Sequence, residues 1–411
     1  CMLKYKREDP TYTFIIPECV LITSHAGLFY IQAFINSTWR QRYGSSLERE
    51  SVLLLWSFIV SVYSIGGLLG SLVVGYLSIR FGRKKTQLCN NLAALLGALL
   101  MAMSQTARSF EMIILGRLLY GINAGVSLNL HTMYIGECAP QKMRGMVTVS
   151  VSFFIAVGKL MGFLIGLRYE LWPYLMSFSA IPALIQLATL PFFPDSPRYL
   201  LLDKSDKDGS LKAMQQLWGP GDHSTEIKEI LKEKMTMEGQ QIKGMKDLFV
   251  DHSVRWQLIM MGLICGGMQF IGINAVTYFL LHSIKQGEHY VWFPYASCMF
   301  VFIFTLSFGL GPVSCVLPTE LFIQSFRPAA YTLIGTMNWV CLFVLALVFP
   351  FIEVTLGPFC FIFFLFYCFS MAVFTFLMLP ETKNKSIVEI MESFNQLNVK
   401  EKHVPVYVTR L

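Results

Sequence analysis

The sequence predicts an all-α protein that crosses a membrane many times and is built from two related helical bundles. Three observations predict it. First, 54% of the 411 residues are hydrophobic and 14% are charged, with a mean hydropathy of +0.53, whereas soluble domains carry about 25% charged residues. Second, the apolar residues gather in runs of the roughly 20 residues that a spanning helix needs. Third, two polar marks recur. Glu137 and Arg144, between two apolar runs, are repeated by Glu320 and Arg327 at an offset of 183, and Pro194-Asp195-Ser196 is repeated by Pro380-Glu381-Thr382 at 186. Two marks at nearly one offset indicate duplicated halves, a pattern of membrane transporters.

The first candidate span, 12–35, is poor, because Pro17, Glu18 and His25 interrupt it. Better spans follow at 52–79, 86–104, 110–134, 147–167 and 171–193. A polar stretch comes next, from 198 to 255. Its Lys and Glu fall at helical i,i+4 spacing around 225–234, which suits a short helical insert on the cytoplasmic side or a solvated amphipathic linker. The second half supplies spans at 256–281, 293–317, 330–352 and 358–379. The expected domains are therefore an N-terminal bundle (1–197, about six spans), a cytoplasmic insert (198–255), a C-terminal bundle (256–380, about four spans) and a cytoplasmic tail (381–411).

Basic residues orient the chain. Arg80, Arg83, Lys84 and Lys85, then Lys142 and Arg144, the insert, and Lys383 and Lys385 all fall on one side when both termini are cytoplasmic. The net charge of +7 is read as this loop charge and not as nucleic-acid binding. The sequon Asn36-Ser37-Thr38 then lies outside, where Asn36 is a candidate glycosylation site. No cleavable signal peptide is evident, and a first span can itself direct insertion. Most of the ten cysteines lie inside apolar runs, so neither a metal site nor a disulfide framework is expected.

The halves are unequal. Four candidate spans precede Glu137, whereas only two separate the insert from Glu320. The basic turn Arg80–Lys85 has no equivalent in the second half. If the halves are duplicates, about two helices and their turn are absent near 285–292. Losing two spans preserves the sidedness of all that follows, so topology conceals the loss and the repeat exposes it.

Nothing matches the phosphate-cradling Gly-x-x-x-x-Gly-Lys-Ser/Thr, so ATP-driven pumping is not expected. A membrane enzyme would need a nucleophile–base pair or a metal-spaced cluster, and the sequence has neither. Glu137 and Arg144, with Arg83 and Arg117, are candidates for a cytoplasmic charge network, with Glu320 and Arg327 as its second copy. Such pairs can close the inner ends of two bundles and part when the site opens inward; they can equally be ordinary interfacial ion pairs. Within the spans, polar side chains face the bundle or a cavity. Gln269, Asn274, Asn338 and Trp339 stand out, since amides offer donors and acceptors to neutral, hydroxyl-rich ligands. Each amide could instead bond to a neighbouring helix.

Taken together, several segments resemble the signatures of the facilitative hexose transporters, the sugar porters of the major facilitator superfamily. They are Arg80-Phe81-Gly82-Arg83-Lys84, Leu115-Gly116-Arg117, Glu137 with Arg144-Gly145, Pro194-Asp195-Ser196-Pro197-Arg198, Gly272-Ile273-Asn274-Ala275 and Pro380-Glu381-Thr382-Lys383. The resemblance runs over about 36–395. It implies twelve helices in two bundles, a central site for a small-molecule sugar, alternating access, uniport without a cofactor, and a multi-pass place in the plasma membrane bilayer.

Carried over by residue, the resemblance makes Gln269 and Asn274 sugar-contacting amides, with Asn338 and Trp339 beside them. It makes Arg83, Arg117, Glu137, Arg144, Glu320 and Arg327 the inner gate. Ser152 stands where glucose carriers have a glutamine, and Cys315 where they have a tryptophan. Both are candidate substrate contacts, and the smaller residue at 315 resembles the fructose- and urate-carrying branch. The region of 285–292 corresponds to a missing eighth helix and most of a ninth, and the family's first-helix motif is missing too. The function expected is facilitated transport of a hexose such as fructose or glucose, or of urate. The alternative is a shortened, non-transporting form, or an incomplete gene product, of such a carrier.

Overall fold

The structure, a computed structural model, describes residues 28–139, 177–178, 180–224, 254–270 and 327–356, most of 226–231, and positions 249–250, 321 and several within 366–377. Every regular element among them is a helix: α1 (Leu28–Tyr43), α2 (Arg49–Phe81), α3 (Arg83–Ser104), α4 (Phe110–Cys138), α5 (Ala180–Thr189), α6 (Pro197–Leu202), α7 (Lys207–Trp218), α8 (Arg255–Phe270) and α9 (Arg327–Leu356).

Among the described residues, four segments are long and apolar enough to cross a membrane: Glu50–Phe81, Arg83–Ser104, Phe110–Cys138 and Thr332–Phe349. They fall on the expected spans 52–79, 86–104, 110–134 and 330–352. The helices run several residues further at their polar ends, because hydropathy registers only the part inside hydrocarbon while the backbone ladder continues until something breaks it. Gly82, at φ +90°, separates α2 from α3, and Pro140 follows the end of α4. At 33 residues, α2 is about 50 Å long, well over the about 30 Å of a hydrocarbon core.

Three boundaries differ from expectation. Helix α1 continues to Tyr43, past the expected end at 35, because its polar last turns are held to α4. Trp39 packs on Phe110 (ring centroids 6.5 Å apart), and Arg42 pairs with Glu111 at 2.5 Å. The expected span 171–193 ends as a short 3₁₀ turn at Leu190–Phe192, where Pro191 has no N–H for the α-helical ladder. Helix α6 crosses the expected domain boundary at 197/198, so the first part of the polar insert is packed against the bundle. The expected spans 147–167 and 293–317 lie outside the described residues; 256–281 is described only to Phe270, and 358–379 at scattered positions.

Helices α2 and α4 pack through glycines at i,i+4 on both. A Cβ on Gly66 would strike the backbone of Leu118 and Gly121, and one on Gly70 that of Ile122 and Gly125; the reverse holds for Gly121 against Tyr63 and Gly125 against Gly67. Missing side chains let the backbones touch, which is how helices associate where no water drives them together. The same device joins α3 to α4 at Gly97 and Gly116. One apolar cluster unites Ile31 and Ile35 of α1, Trp56 and Ile59 of α2, Ile113 and Tyr120 of α4, and Trp339, Leu342 and Leu345 of α9. Outward faces carry exposed Leu54, Leu72, Ile79, Leu92, Leu96 and Leu99, as suits a protein whose solvent is lipid.

Between α3, α4 and α5 lies a buried polar network. Gln87 Nε2 donates to Gln186 Oε1 at 3.1 Å. Gln186 Nε2 lies 2.6 Å from His131 Nε2. Asn90 Nδ2 donates to Ser127 Oγ at 2.9 Å and to the Asn123 carbonyl at 3.0 Å, and Asn123 returns a bond to the Asn90 carbonyl at 3.0 Å. Paired amides inside an apolar bundle favour one helix register, because a slip would break these bonds.

Candidate functional site

The best-formed charged site lies where α2 ends, α3 begins, α4 ends and α6 packs against them. Gly82 makes it possible. A side chain there would meet Asp195 Oδ2 at 2.7 Å and the Tyr199 ring at 2.9 Å, and its positive φ disfavours other residues. The tight link places Arg83 on the first turn of α3, facing the last turn of α4.

Arg83 gathers three elements on one guanidinium. Its Nε and Nη2 bond to the two carboxylate oxygens of Glu137 at 3.1 and 3.0 Å. Its Nη1 donates to Asp203 Oδ2 at 2.8 Å and to the Ser78 carbonyl at 3.3 Å. The Tyr199 ring lies 4.6 Å from the guanidinium carbon. The Arg83 and Glu137 side chains are only 10% and 15% exposed, whereas Asp203 is 35% exposed. Bidentate pairing is the strongest form of this contact, and here it has a particular task. A carboxylate at the end of a helix opposes the helix dipole, so Glu137 sits where it does because Arg83 and Ser196 hold it.

Ser196 is the N-cap of α6. It accepts from Tyr199 N at 3.2 Å and its hydroxyl donates to Glu137 Oε2. Asp195 accepts from the backbone N–H groups of Lys84 (3.3 Å) and Ser196 (2.9 Å). The Lys84 ammonium donates to the carbonyls of Pro191 and Phe193 at 2.8 and 2.7 Å. The Tyr134 hydroxyl donates to the Pro194 carbonyl at 2.7 Å, and Trp218 Nε1 to the Cys138 carbonyl at 2.9 Å. The segment 191–218 is thus tied at many points to the ends of α3 and α4.

Of the expected gate residues, the structure brings Arg83 and Glu137 together and sets Arg117 apart. Arg117 lies 20 residues before Glu137 on the unbroken α4, about 30 Å away along the axis. It is fully buried, with Nη2 donating to the Val60 carbonyl at 3.1 Å. This corrects its placement in the charge network: residue type matched, depth did not. Arg327 opens α9 and Gln269 lies near the end of α8, but their side chains are outside the described residues. Arg144, Glu320, Asn274, Ser152 and Cys315 are outside them altogether.

Trp339 is buried against α2, its ring 5.8 Å from that of Tyr63, with Asn338 half-buried beside it. Asn36 sits half-buried on α1, and its Oδ1 accepts from Leu47 N at 3.2 Å; Thr38 of the same sequon is buried. Sequence reasoning missed Ser196, Tyr199 and Asp203 as partners. The repeat and the family resemblance had both marked Pro194–Ser196, yet neither named its partners. Nothing in the sequence pointed Asp203 at Arg83. Among the described residues no cluster of His, Cys, Asp and Glu could hold a metal.

Comparison with known proteins agrees with this architecture. The family described as "Sugar (and other) transporter" matches residues 25–286 and 281–394. The mouse solute carrier family 2, facilitated glucose transporter member 5, is 35% identical over 475 positions, covering 96% of this chain and 95% of its own. The human facilitated glucose transporter member 11 is 36% identical over 440 positions, covering 91% and 89%. The inward-open structure of the xylose transporter XylE from E. coli superposes with a TM-score of 0.71 at 19% identity, over 93% of this chain and 98% of that one. At that identity the likeness establishes the fold.

The family match comes in two pieces that meet at 281–286. In the mouse alignment, 96% of the 411 residues, about 395, are set against 475 positions, which leaves about 80 positions without a residue of this chain.

Proposed function

The chain belongs to the sugar (and other) transporter family, and on that premise we propose that it serves facilitated, alternating-access transport of a hexose, with fructose and glucose as the first candidates and urate as the other substrate. As a family member it is a multi-pass membrane protein and a transporter, not an enzyme. The observation that carries the finer reading is the likeness, at 35–36% identity over nine-tenths of the chain, to carriers named as facilitated glucose transporters.

The plasma membrane is the proposed location, with both termini cytoplasmic. In this reading Arg83, Glu137, Ser196 and Asp203 form the N-terminal share of the inner gate, and Arg144, Glu320 and Arg327 complete it. The sugar contacts are Gln269, Asn274, Asn338 and Trp339, with Ser152 and Cys315 setting selectivity. A uniporter needs no ion gradient, so the test is counterflow in proteoliposomes. Labelled fructose, glucose and urate are each offered with and without a proton or sodium gradient. Saturable hexose exchange unaffected by either gradient supports the reading; flux that follows a gradient contradicts it.

A second reading has its own support: the family match breaks at 281–286, beside 285–292, where the unequal halves point to two missing helices. A bundle lacking two helices presents cavity-facing polar groups to lipid, at a cost of several kcal/mol each. On this reading the 411-residue form is a shortened, non-transporting relative of the carrier.

A further inference from the structure

Arg117 takes no part in the inner charge cluster, yet it is a fully buried cation. Ionisable residues at membrane depth are kept for a task. Its Nη2 bonds to the Val60 carbonyl, and its guanidinium carbon lies 5.7 Å from the centroid of the Tyr63 ring. Val60 and Tyr63 are three apart on α2 and so share a face. Nε and Nη1 have no hydrogen-bond partner among the described residues, which makes the ring an important source of compensation for the charge. Arg117 is therefore locked to one turn of α2 by a backbone bond and a ring.

The same ring also meets α9. Tyr63 meets Trp339 edge-on, at 5.8 Å and 65°. One turn along α2 is Gly67, where even a methyl group would overlap the indole. Tyr63 and the bare Gly67 thus make a slot on α2 into which Trp339 fits. An indole has a single donor, and its direction is fixed by the ring plane. Trp339 Nε1 is buried without a partner among the described residues, so the slot decides where that donor points.

We propose that Arg117, acting through Tyr63, and Gly67 set the orientation of Trp339 across the α2–α9 contact and are positioning residues for the sugar. The proposal rests on the reading of Trp339 as a sugar contact, and its structural half can be tested without any flux. None of the three residues needs to touch the ligand. Each acts by fixing the plane of a ring that does.

The full chain is labelled with 5-fluorotryptophan, purified in nanodiscs and read by fluorine NMR, with the Trp339 resonance assigned from Trp339→Phe. Arg117→Gln, Tyr63→Leu and Gly67→Ala should each move the Trp339 resonance and leave that of Trp218 on α7 in place. Tyr63→Phe, which keeps the ring, should move the Trp339 resonance less than Tyr63→Leu does and leave that of Trp218 in place. Where glucose or fructose uptake is measured, the first three should raise KM by up to about tenfold with a smaller change in kcat, the size of a lost hydrogen bond.

An unmoved Trp339 resonance in Tyr63→Leu and Gly67→Ala overturns the proposal, whatever the flux. If Arg117→Gln does not fold, Arg117→Lys against Tyr63→Leu gives the same comparison, and a Trp339 resonance indifferent to both removes Arg117 from the account. A moved resonance in a protein whose wild type binds no sugar upholds the slot and refutes the sugar reading. A moved resonance with unchanged KM overturns the positioning role.

Discussion

Arg83 holds two carboxylates and a carbonyl on one planar group, so its loss strands more than its own charge. Arg83→Ala leaves Glu137 buried and unpaired at the end of α4, and a broken pair of this burial costs about 3–5 kcal/mol. Thermal unfolding in detergent should show that loss. Ser196→Ala, which removes a helix cap and a bond to Glu137, should cost about 1 kcal/mol. In a double-mutant cycle, Arg83→Ala and Glu137→Ala should be strongly non-additive, and additive losses would mean that the pair is not coupled. Glu137 and Arg83 were legible in the sequence because charges are conspicuous beside apolar runs and because Glu137 recurs at a fixed offset. Asp203 was not, since only the docking of α6 brings it to Arg83. Arg117 was misplaced for a related reason. Its spacing from Glu137 looks like proximity in the chain, but an uninterrupted helix turns twenty residues into depth.

The helices themselves were largely legible, since long apolar runs bounded by basic turns leave little choice. Their ends were not, because Arg83–Lys85 and Ile135–Cys138 continue helices past the apolar runs. The glycine seam between α2 and α4 makes a sharp prediction. Gly121→Val would drive its side chain into the Tyr63 carbonyl, so the variant should fail to purify as a monodisperse protein by size exclusion. Gly75→Ala, with nothing within 4 Å of the new methyl, should behave as wild type. The amides of α3, α4 and α5 were invisible as a network, because an Asn or Gln in an apolar run does not name its partner. Gln186→Leu would leave both Gln87 and His131 short of a hydrogen bond, at about 1–3 kcal/mol, to be read as a lower unfolding midpoint. An unchanged midpoint would show that the network contributes no net stability.

At the scale of the molecule, the duplicated halves were legible from two polar marks alone, and the mismatch in span number between them pointed to 285–292. The family match breaks at 281–286, beside that place. The central claim is that this chain is built as a hexose carrier. The most direct measurement compares hexose counterflow by the 411-residue chain with that of the same chain carrying, after 286, a segment of the mouse relative long enough for two spans and their loop, on the order of 60 residues. The account predicts saturable, gradient-independent hexose flux from the extended form; the 411-residue chain matches it on the first reading and carries little on the second. Equal flux from both forms would show that the added segment is not needed, and no hexose flux from either would contradict the reading of the chain as a hexose carrier.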